Sequence, residues 1–312
     1  MQLKALRYFL MVSSSGSFLA TARHFGVPAS SVSRDIAALE KELNQQLLYR
    51  STRAVTLTEK GTWFRSQVRE ALDLLDNAAE QIAQEGQQIS GKIRINAPEA
   101  LGRLHIVNLV SQLRRKYPGV SVELTLTDTF RDPVQEGNDI TFRVSTVEDS
   151  GMLGKVICDQ QYIVAASQTY LQQNGIPMQP EDLRNHNCLL YRGGSGEQRW
   201  YYRTSLKDKY KNIEVSGGIS SNNAGALVAA AQDGAGIVLF PTWIFSPEIF
   251  VNGSLIRLLP EWDMSAESVP TVIHALYPEN KLRSHRIREI LKFMVDEIGS
   301  PPYWDQYFIN NH

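Results

Sequence analysis

Between Glu59 and Gln87 the chain contains no proline, and Phe64, Val68, Ala71, Leu75, Ala78 and Ile82 recur three and four residues apart. That spacing sets them along one side of an α-helix, and roughly thirty helical residues reach about 45 Å. A seam of that length with polar flanks needs a cover. It is either a second copy of the same helix in a coiled coil, giving a homodimer or homotetramer, or the chain's own larger domain. Gln84 to Gly91 is polar and carries two glycines, which marks a hinge and a domain boundary. With 312 residues, the chain has room for a small module before the rod and a domain of about 200 residues after it.

In the module, residues 1–58, Leu3, Leu6, Phe9, Leu10 and Val12 predict a helix that Ser13 to Gly16 ends. Ser17 can cap a second helix over Phe18 to Phe25, and Gly26 is suited to a left-handed turn. Pro28 fits a helix start, after which Val32, Ile36, Leu39 and Leu43 form a buried stripe beneath exposed Ser30, Ser31, Ser33 and Arg34. This is a helix-turn-helix pattern, whose second helix enters a DNA major groove and whose small hydroxyls let the backbone approach base edges. Gln46 to Arg50 and Ala54 to Thr58 then predict a hairpin wing with Ser51, Thr52 and Arg53 at its turn. Arg50 and Arg53 would meet phosphates or the minor groove of double-stranded DNA. In residues 1–60 eight Lys and Arg stand against four Asp and Glu, so this end carries +4 and the rest of the chain, at −1 in total, carries −5.

From Lys92 the periodicity changes to alternating strands and helices. Strands are predicted at Ile93 to Ala97, Val120 to Thr127, Asp139 to Val144, Tyr162 to Ala166, Glu214 to Ile219, Ile237 to Phe240 and Thr271 to Tyr277, with helices at Leu101 to Tyr117, Ala224 to Gln232 and Ser284 to Ile298. In open α/β sheets ligands lie beyond the carboxyl ends of strands. That rule nominates Pro98, Glu99, Ala100 and Leu101 after the first strand, Asp128 and Thr129 after the second, Arg143 at the end of the third, and Ser221 and Asn222 before a helix. Arg143 is the anion partner of this set, or half of a structural ion pair.

Other classes leave no trace. There is no GxSxG, HExxH or P-loop; Gly193 to Gly196 lacks the Lys-Ser/Thr of a phosphate loop, and Asp233 to Gly236 precedes a strand, so neither an enzyme nor a cofactor is expected. Cys158 and Cys188 lack CxxC spacing and read as buried small hydrophobes rather than a redox pair, and His186 near Cys188 is no metal site. No apolar run is long enough to span a bilayer, so a cytoplasmic location with no membrane partner is expected. A small-molecule-binding protein without a DNA role is the alternative, against which the basic head argues.

The run from Leu6 to Gly61, with its Gly-Ser-Phe, Val-Ser-Arg, Leu-Glu-Lys-Glu-Leu, Arg-Ser-Thr-Arg and Leu-Thr-Glu-Lys-Gly, resembles the DNA-binding domain of LysR-type transcriptional regulators. RINAPEALGRLHIVNLV, NDITFRV and DGAGIVLFP resemble that family's effector domain. The resemblance implies an α+β multidomain chain: a winged helix-turn-helix, a linker helix over 59–88, and a two-lobed, periplasmic-binding-protein-like (type 2) domain over 89–300. Lobe I would take about 91–161 and 270–298, and lobe II 162–269. It implies Ser33 and Arg34 on the groove-facing surface and Arg50, Thr52 and Arg53 on the wing. It also implies an unknown small-molecule effector between the lobes, and contact with RNA polymerase. Family members commonly carry Ser-Gln-Pro where this chain has Pro28-Ala29-Ser30, so a base-reading amide is missing there. The likeness fades in the aromatic tail, 301–312.

Overall fold

The computed structural model describes residues 1–50, 55–83, 89–129, 137–146, 153–193, 196–205, 207–278 and 284–310. The chain divides into two units, Met1–Gln87 with Arg131–Gly137, and Gln88–Phe130 with Asn138–His312.

The first unit opens with α1 (Leu3–Ser15), α2 (Phe18–Phe25) and α3 (Ala29–Leu43). In α1 the buried face is Ala5, Leu6, Tyr8, Phe9 and Val12, whereas Leu3, expected in the core, is 46% exposed. The helix runs through the serines to Ser15 before Gly16 ends it. Ser17 caps α2, its Oγ accepting the Ala20 N–H at 3.1 Å, and Gly26 turns the chain at φ 64°. Pro28 is the cap of α3 rather than its first residue. Val32, Ile36 and Leu39 bury their stripe, and Leu43 is half-buried. β1 (Leu48–Arg50) pairs antiparallel with β2 (Val55–Leu57), Leu48 opposite Leu57. The wing turn, with Thr52 and Arg53, lies outside the described residues.

The long helix, α4 (Glu59–Ala83), is fastened to this core at its first turn. The Thr58 hydroxyl accepts the Gly61 N–H at 2.9 Å and donates to the Gln46 carbonyl at 2.9 Å. Phe64, Val68 and Leu72 then join the core of the three short helices, Phe64 lying 5.6 Å from Phe9 between ring centroids. So the sequence seam has two covers: its first turns pack on the head, while Ala71, Leu75 and Ala78 are exposed, with Leu74 beside them. The side chain of Ile82 is not among those described.

The second unit holds two large sheets and a small three-stranded one, ordered β12 (Ser220–Ser221), β8 (Leu190–Gly193), β9 (Gly196–Glu197). The first large sheet comprises β3 (Gly91–Ala97), β4 (Val120–Leu126), β5 (Ile140–Thr146), β6 (Leu153–Asp159) and β16 (Thr271–Tyr277), ordered β4-β3-β5-β16-β6. β3 runs parallel to β4 and β5, and β16 runs antiparallel to β5 and β6. Between β3 and β4 run α5 (Glu99–Leu101), a π-helical turn (Gly102–Ile106) and α6 (Val107–Lys116). The second sheet joins β7 (Tyr162–Ala166), β10 (Trp200–Arg203), β11 (Lys211–Ile213), β13 (Val238–Pro241) and β15 (Asp263–Ser265), with β14 (Ile256–Leu258) also on β7. α7 (Gln168–Asn174) and α8 (Ala224–Gln232) belong to this lobe. So do β8, β9, β12 and α9 (Glu248–Val251). The Gln160 N–H to Thr271 carbonyl bond, 2.9 Å, ties the two strand crossings between the sheets.

The strand expected over Glu214 to Ile219 is absent. After Ile213 the chain leaves the ladder, Ser216 bridges singly to Asn187, and Gly217 and Gly218 offer no side chain to hold a pleated face. Ile93, Ile95, Phe142 and Ile273 of the first sheet share one core with Ile163, Ala165, Val238 and Phe240 of the second. α10 (His285–Ile298) and α6 cover it through Ile287, Ile290, Met294, Leu109 and Leu113. The tail, left without an account by its sequence, forms α11 (Gln306–Asn310) and buries Trp304 and Phe308 in that same core.

Two expectations concern stability. A Cβ on Gly61 would lie 2.0 Å from the Leu47 carbonyl oxygen, so Gly61→Ala should lower the head's stability by about 1–3 kcal/mol, read as a lower urea midpoint. His105 is 7% exposed, and burial lowers its pKa below the ordinary 6.5, with the hydrogen bond to the Trp243 carbonyl opposing. Below that pH the unfolded imidazole takes up a proton that the folded one resists, so this group's contribution is complete above about pH 6.5 and lost as pH falls. His105→Gln removes that term. Its unfolding free energy from urea titrations should fall less steeply than wild type between pH 7 and 5.5, by at most about 1.4 kcal/mol per pH unit; parallel slopes would contradict the assignment.

Candidate DNA-binding surface and effector cleft

In the head, α3 starts without a side-chain cap. The Ser31 and Val32 N–H groups turn back to the Pro28 carbonyl, which leaves the Ala29 and Ser30 amides at the positive end of a 15-residue helix. Ser30 and Arg34 are exposed there, and Ser31 and Ser33 are half-buried. No ion pair of Arg34 is present among the described residues. Short hydroxyls, free amides and an extended cation on one helix end are what close approach to a phosphate and a base edge requires.

Arg50 is placed differently from a free wing cation. Its Nη2 lies 2.6 Å from Glu40 Oε2, its Nη1 3.4 Å from Ser33 Oγ, and its guanidinium stands over the Phe18 ring at 5.2 Å. The other oxygen of Glu40 accepts the Leu47 and Leu48 N–H groups at 2.9 and 3.0 Å. One carboxylate thus joins α3, the start of β1 and Arg50, and it holds Arg50 against Ser33. Sequence reading missed Glu40 and Phe18 in this role, because nothing in their spacing marks a contact across ten or more residues.

In the second unit, the loops after β3 and β4 meet directly. The Glu99 N–H donates to Asp128 Oδ1 at 3.0 Å, and the Thr129 N–H to Thr127 Oγ1 at 3.1 Å. Arg143 is half-buried; its Nη1 donates to the Phe142 carbonyl at 2.9 Å, and burial lowers its pKa while the charge of Asp128 opposes. No salt bridge joins it to a carboxylate among the described residues. On the second lobe Ser221 Oγ accepts the Asn223 N–H at 3.1 Å, and Asn223 caps α8, its Oδ1 accepting the Ala226 N–H at 2.9 Å. Asn222 is exposed. Pro98 and Ala100 are half-buried at the rim, but Leu101 is 1% exposed and belongs to the core, so it offers a ligand nothing.

Two cleft residues escaped the sequence reading. Burial raises the Tyr191 pKa, and the charges of Asp128 and Glu99 add to the shift, which puts this lobe II phenol within electrostatic range of lobe I. Arg103 Nε lies 3.2 Å from Glu99 Oε1, and a Cβ on Gly225 would stand 3.5 Å from Arg103 Nη2. Arg103 therefore reaches the first turn of α8. The spacing of four from Glu99 was its only sequence signal.

The cysteines behave as small hydrophobes. Burial pushes both thiols up to about 12, so neither is a thiolate near neutrality. His186 Nδ1 pairs with the Tyr170 hydroxyl at 3.2 Å, and no group of three or more His, Cys, Asp or Glu suited to a metal occurs among the described residues. No described helix is long and apolar enough to cross a membrane.

Residues 3–62 match the family described as bacterial regulatory helix-turn-helix protein, lysR family, and residues 86–299 match the LysR substrate binding domain. The transcriptional regulator PtxR of Pseudomonas aeruginosa is 30% identical over 305 residues, covering 97% of this chain and 95% of its own. The activator TtdR of Escherichia coli K12 is 30% identical over 302 residues, covering 96% and 95%. Among solved structures, the full-length virulence activator AphB of Vibrio cholerae superposes with a TM-score of 0.57 at 29% identity, covering 95% of this chain and 99% of that one. A full-length OxyR variant from Pseudomonas aeruginosa, at 18% identity and a TM-score of 0.66, shares the fold over 95% and 94%. The chain belongs to the LysR family of DNA-binding transcriptional regulators, with a winged helix-turn-helix head and a two-lobed effector-binding domain.

Proposed function

We propose that this regulator reads its operator through Ser30, Ser31, Ser33 and Arg34 at the start of α3, with Thr52 and Arg53 of the wing on adjacent phosphates and Arg50 as the residue that positions Ser33. The observation that carries this reading is the uncapped N-terminus of α3 beside an exposed Arg34 that has no ion pair among the described residues. Residues 1–58 are the DNA-binding domain, 59–88 the linker, and 89–300 the effector domain, divided between lobes at about 162 and 270. The exposed Leu74 and Leu75 of α4 support pairing with a second copy, as a homodimer or as part of a homotetramer. Two heads then meet successive major grooves about 34 Å apart, and a two-fold pair calls for an inverted repeat.

The effector is a small molecule held in the cleft by Arg143, Tyr191 and the loops at Pro98 to Ala100, Asp128 and Thr129, and Ser221 and Asn222. Its binding shifts the population of lobe arrangements, and with it the assembly presented to DNA and to RNA polymerase. The reading is of a cytoplasmic regulator without catalytic chemistry. An effector-binding protein with no DNA role accounts for the cleft and leaves the head unexplained.

Three measurements on DNA from upstream of its own coding region test the head. Arg34→Ala should weaken binding to operator and random DNA alike and flatten the salt dependence by about 0.9 in log–log slope. Ser33→Ala should change the ranking of operator variants and leave the slope alone. Arg50→Ala should behave like Ser33→Ala. If Arg50→Ala instead matched Arg34→Ala on random DNA, its positioning role would be wrong. For the cleft, metabolites that raise the melting temperature of the wild-type chain should lose that effect in Arg143→Gln, whose melting temperature without ligand stays within a few degrees of wild type. Retention of the shift in Arg143→Gln would move the effector elsewhere.

A further inference from the structure

The match to the effector domain ends at residue 299, and the ordered, aromatic segment that follows is left without a task by everything above. We propose that residues 301–310 form an interlobe strap that holds the two lobes at one mutual angle when no effector is bound. The proposal rests on the effector reading only for its regulatory consequence.

The strap leaves the end of α10, where the Tyr303 N–H returns to the Ile298 carbonyl at 2.9 Å. It next meets lobe I at His105, in the π-helical turn. The Tyr303 hydroxyl lies 2.6 Å from His105 Nδ1, and the Trp304 ring is 4.5 Å from the imidazole between centroids. The other ring nitrogen, Nε2, lies 2.7 Å from the Trp243 carbonyl of lobe II. A carbonyl only accepts, so Nε2 carries the proton, and Nδ1 accepts from Tyr303. One imidazole therefore ties lobe I to lobe II and to the strap.

The segment continues onto lobe II. Asp305 is 2% exposed and accepts from the Thr242 hydroxyl in a short hydrogen bond. Phe308 meets Phe250 edge to face at 5.2 Å, Tyr307 stacks on the same ring at 6.1 Å, and Arg257 Nη1 is 3.5 Å from the Phe308 carbonyl. Thr242 is also where lobe II adjoins the crossing strand, through its N–H to the Gln161 carbonyl at 2.8 Å. The strap thus fastens the residues that have to move if the lobes rotate about 160–162 and 268–271. Hinge motions are absorbed at such crossing segments, and a contact that spans both bodies biases the angle.

The test uses the full chain carrying Cys158→Ser and Cys188→Ala, with spin labels at Arg115→Cys in lobe I and Gln173→Cys in lobe II, both exposed positions. Distances are compared for the parent, for a chain ending at Gly299, and for Tyr303→Phe, which removes only the hydroxyl. Truncation is expected to shift or broaden the interlobe distance and to speed exchange of the Gln160 and Thr242 amides about tenfold, with β3, β5, β7 and β13 still protected. Tyr303→Phe should give a smaller change of the same sign. An unchanged distance in both variants overturns the proposal. Loss of protection across both sheets on truncation, with Tyr303→Phe unchanged, also overturns it, because the segment would then serve the stability of the whole unit and not the angle between the lobes. No effector enters the measurement, so its failure is separate from a failure to find a ligand for the cleft.

Discussion

The effector-binding half of this protein depends on one apolar core that runs without interruption from one sheet to the other. Ile93, Ile95, Phe142 and Ile273 point into it from the first sheet, and Ile163, Ala165, Val238 and Phe240 from the second. Because successive side chains of a strand alternate, each inward residue sends its neighbour outward, and the strand ends are where polar groups collect. Arg143 follows buried Phe142, and Asp128 and Glu99 sit just past β4 and β3. The cleft is the polar remainder of a core that two sheets share, so its geometry changes whenever their angle does.

The head solves a smaller problem with a different interaction. Three short helices and a hairpin bury few large side chains, and a recognition helix must still be held firmly for groove contact. Glu40 supplies part of that hold. Its carboxylate accepts two backbone N–H groups and a guanidinium, charge-assisted bonds that are stronger than neutral ones. The arginine so captured lies against Ser33. A cation that looks like a phosphate ligand in sequence is thereby also a spacer in the fold.

Much of this was legible in the residues alone. Periodicity placed α2, α8, β7 and β16 to the residue, since each is bounded by a cap, a glycine or a change of period. Of the nominated loops, those after β3 and β4 meet through the Glu99 N–H and Asp128, as a rule about strand ends that needs no side-chain detail expects. What stayed hidden depends on contacts between residues far apart in the chain. Leu101, nominated for ligand contact, is core; Glu214 to Ile219 reads well enough as a strand but has two glycines and no ladder to join. Tyr191 and Arg103 carry no motif, and only the approach of the lobes gives them a role. The tail reads as low-information aromatic sequence until His105, about 200 positions away, is seen between its rings.

The linker shows how a single pattern serves two covers. At 100° per residue, Phe64, Val68, Ala71, Leu75 and Ala78 stay within about 40° of one line along α4. The head is short, and its core reaches only to Leu72. Around and beyond that point the same stripe runs out through exposed Ala71, Leu75 and Ala78, with Leu74 at its edge. A helix is stiff over this distance, so whatever covers the second half is mechanically continuous with Phe64 and, through its ring, with Phe9 at the centre of the head. Rotation of α4 about its axis would drag Phe64 across Phe9 and disturb a close-packed core, which resists such motion. The orientation of α3 is therefore tied, through Phe9 and Phe64, to that of α4.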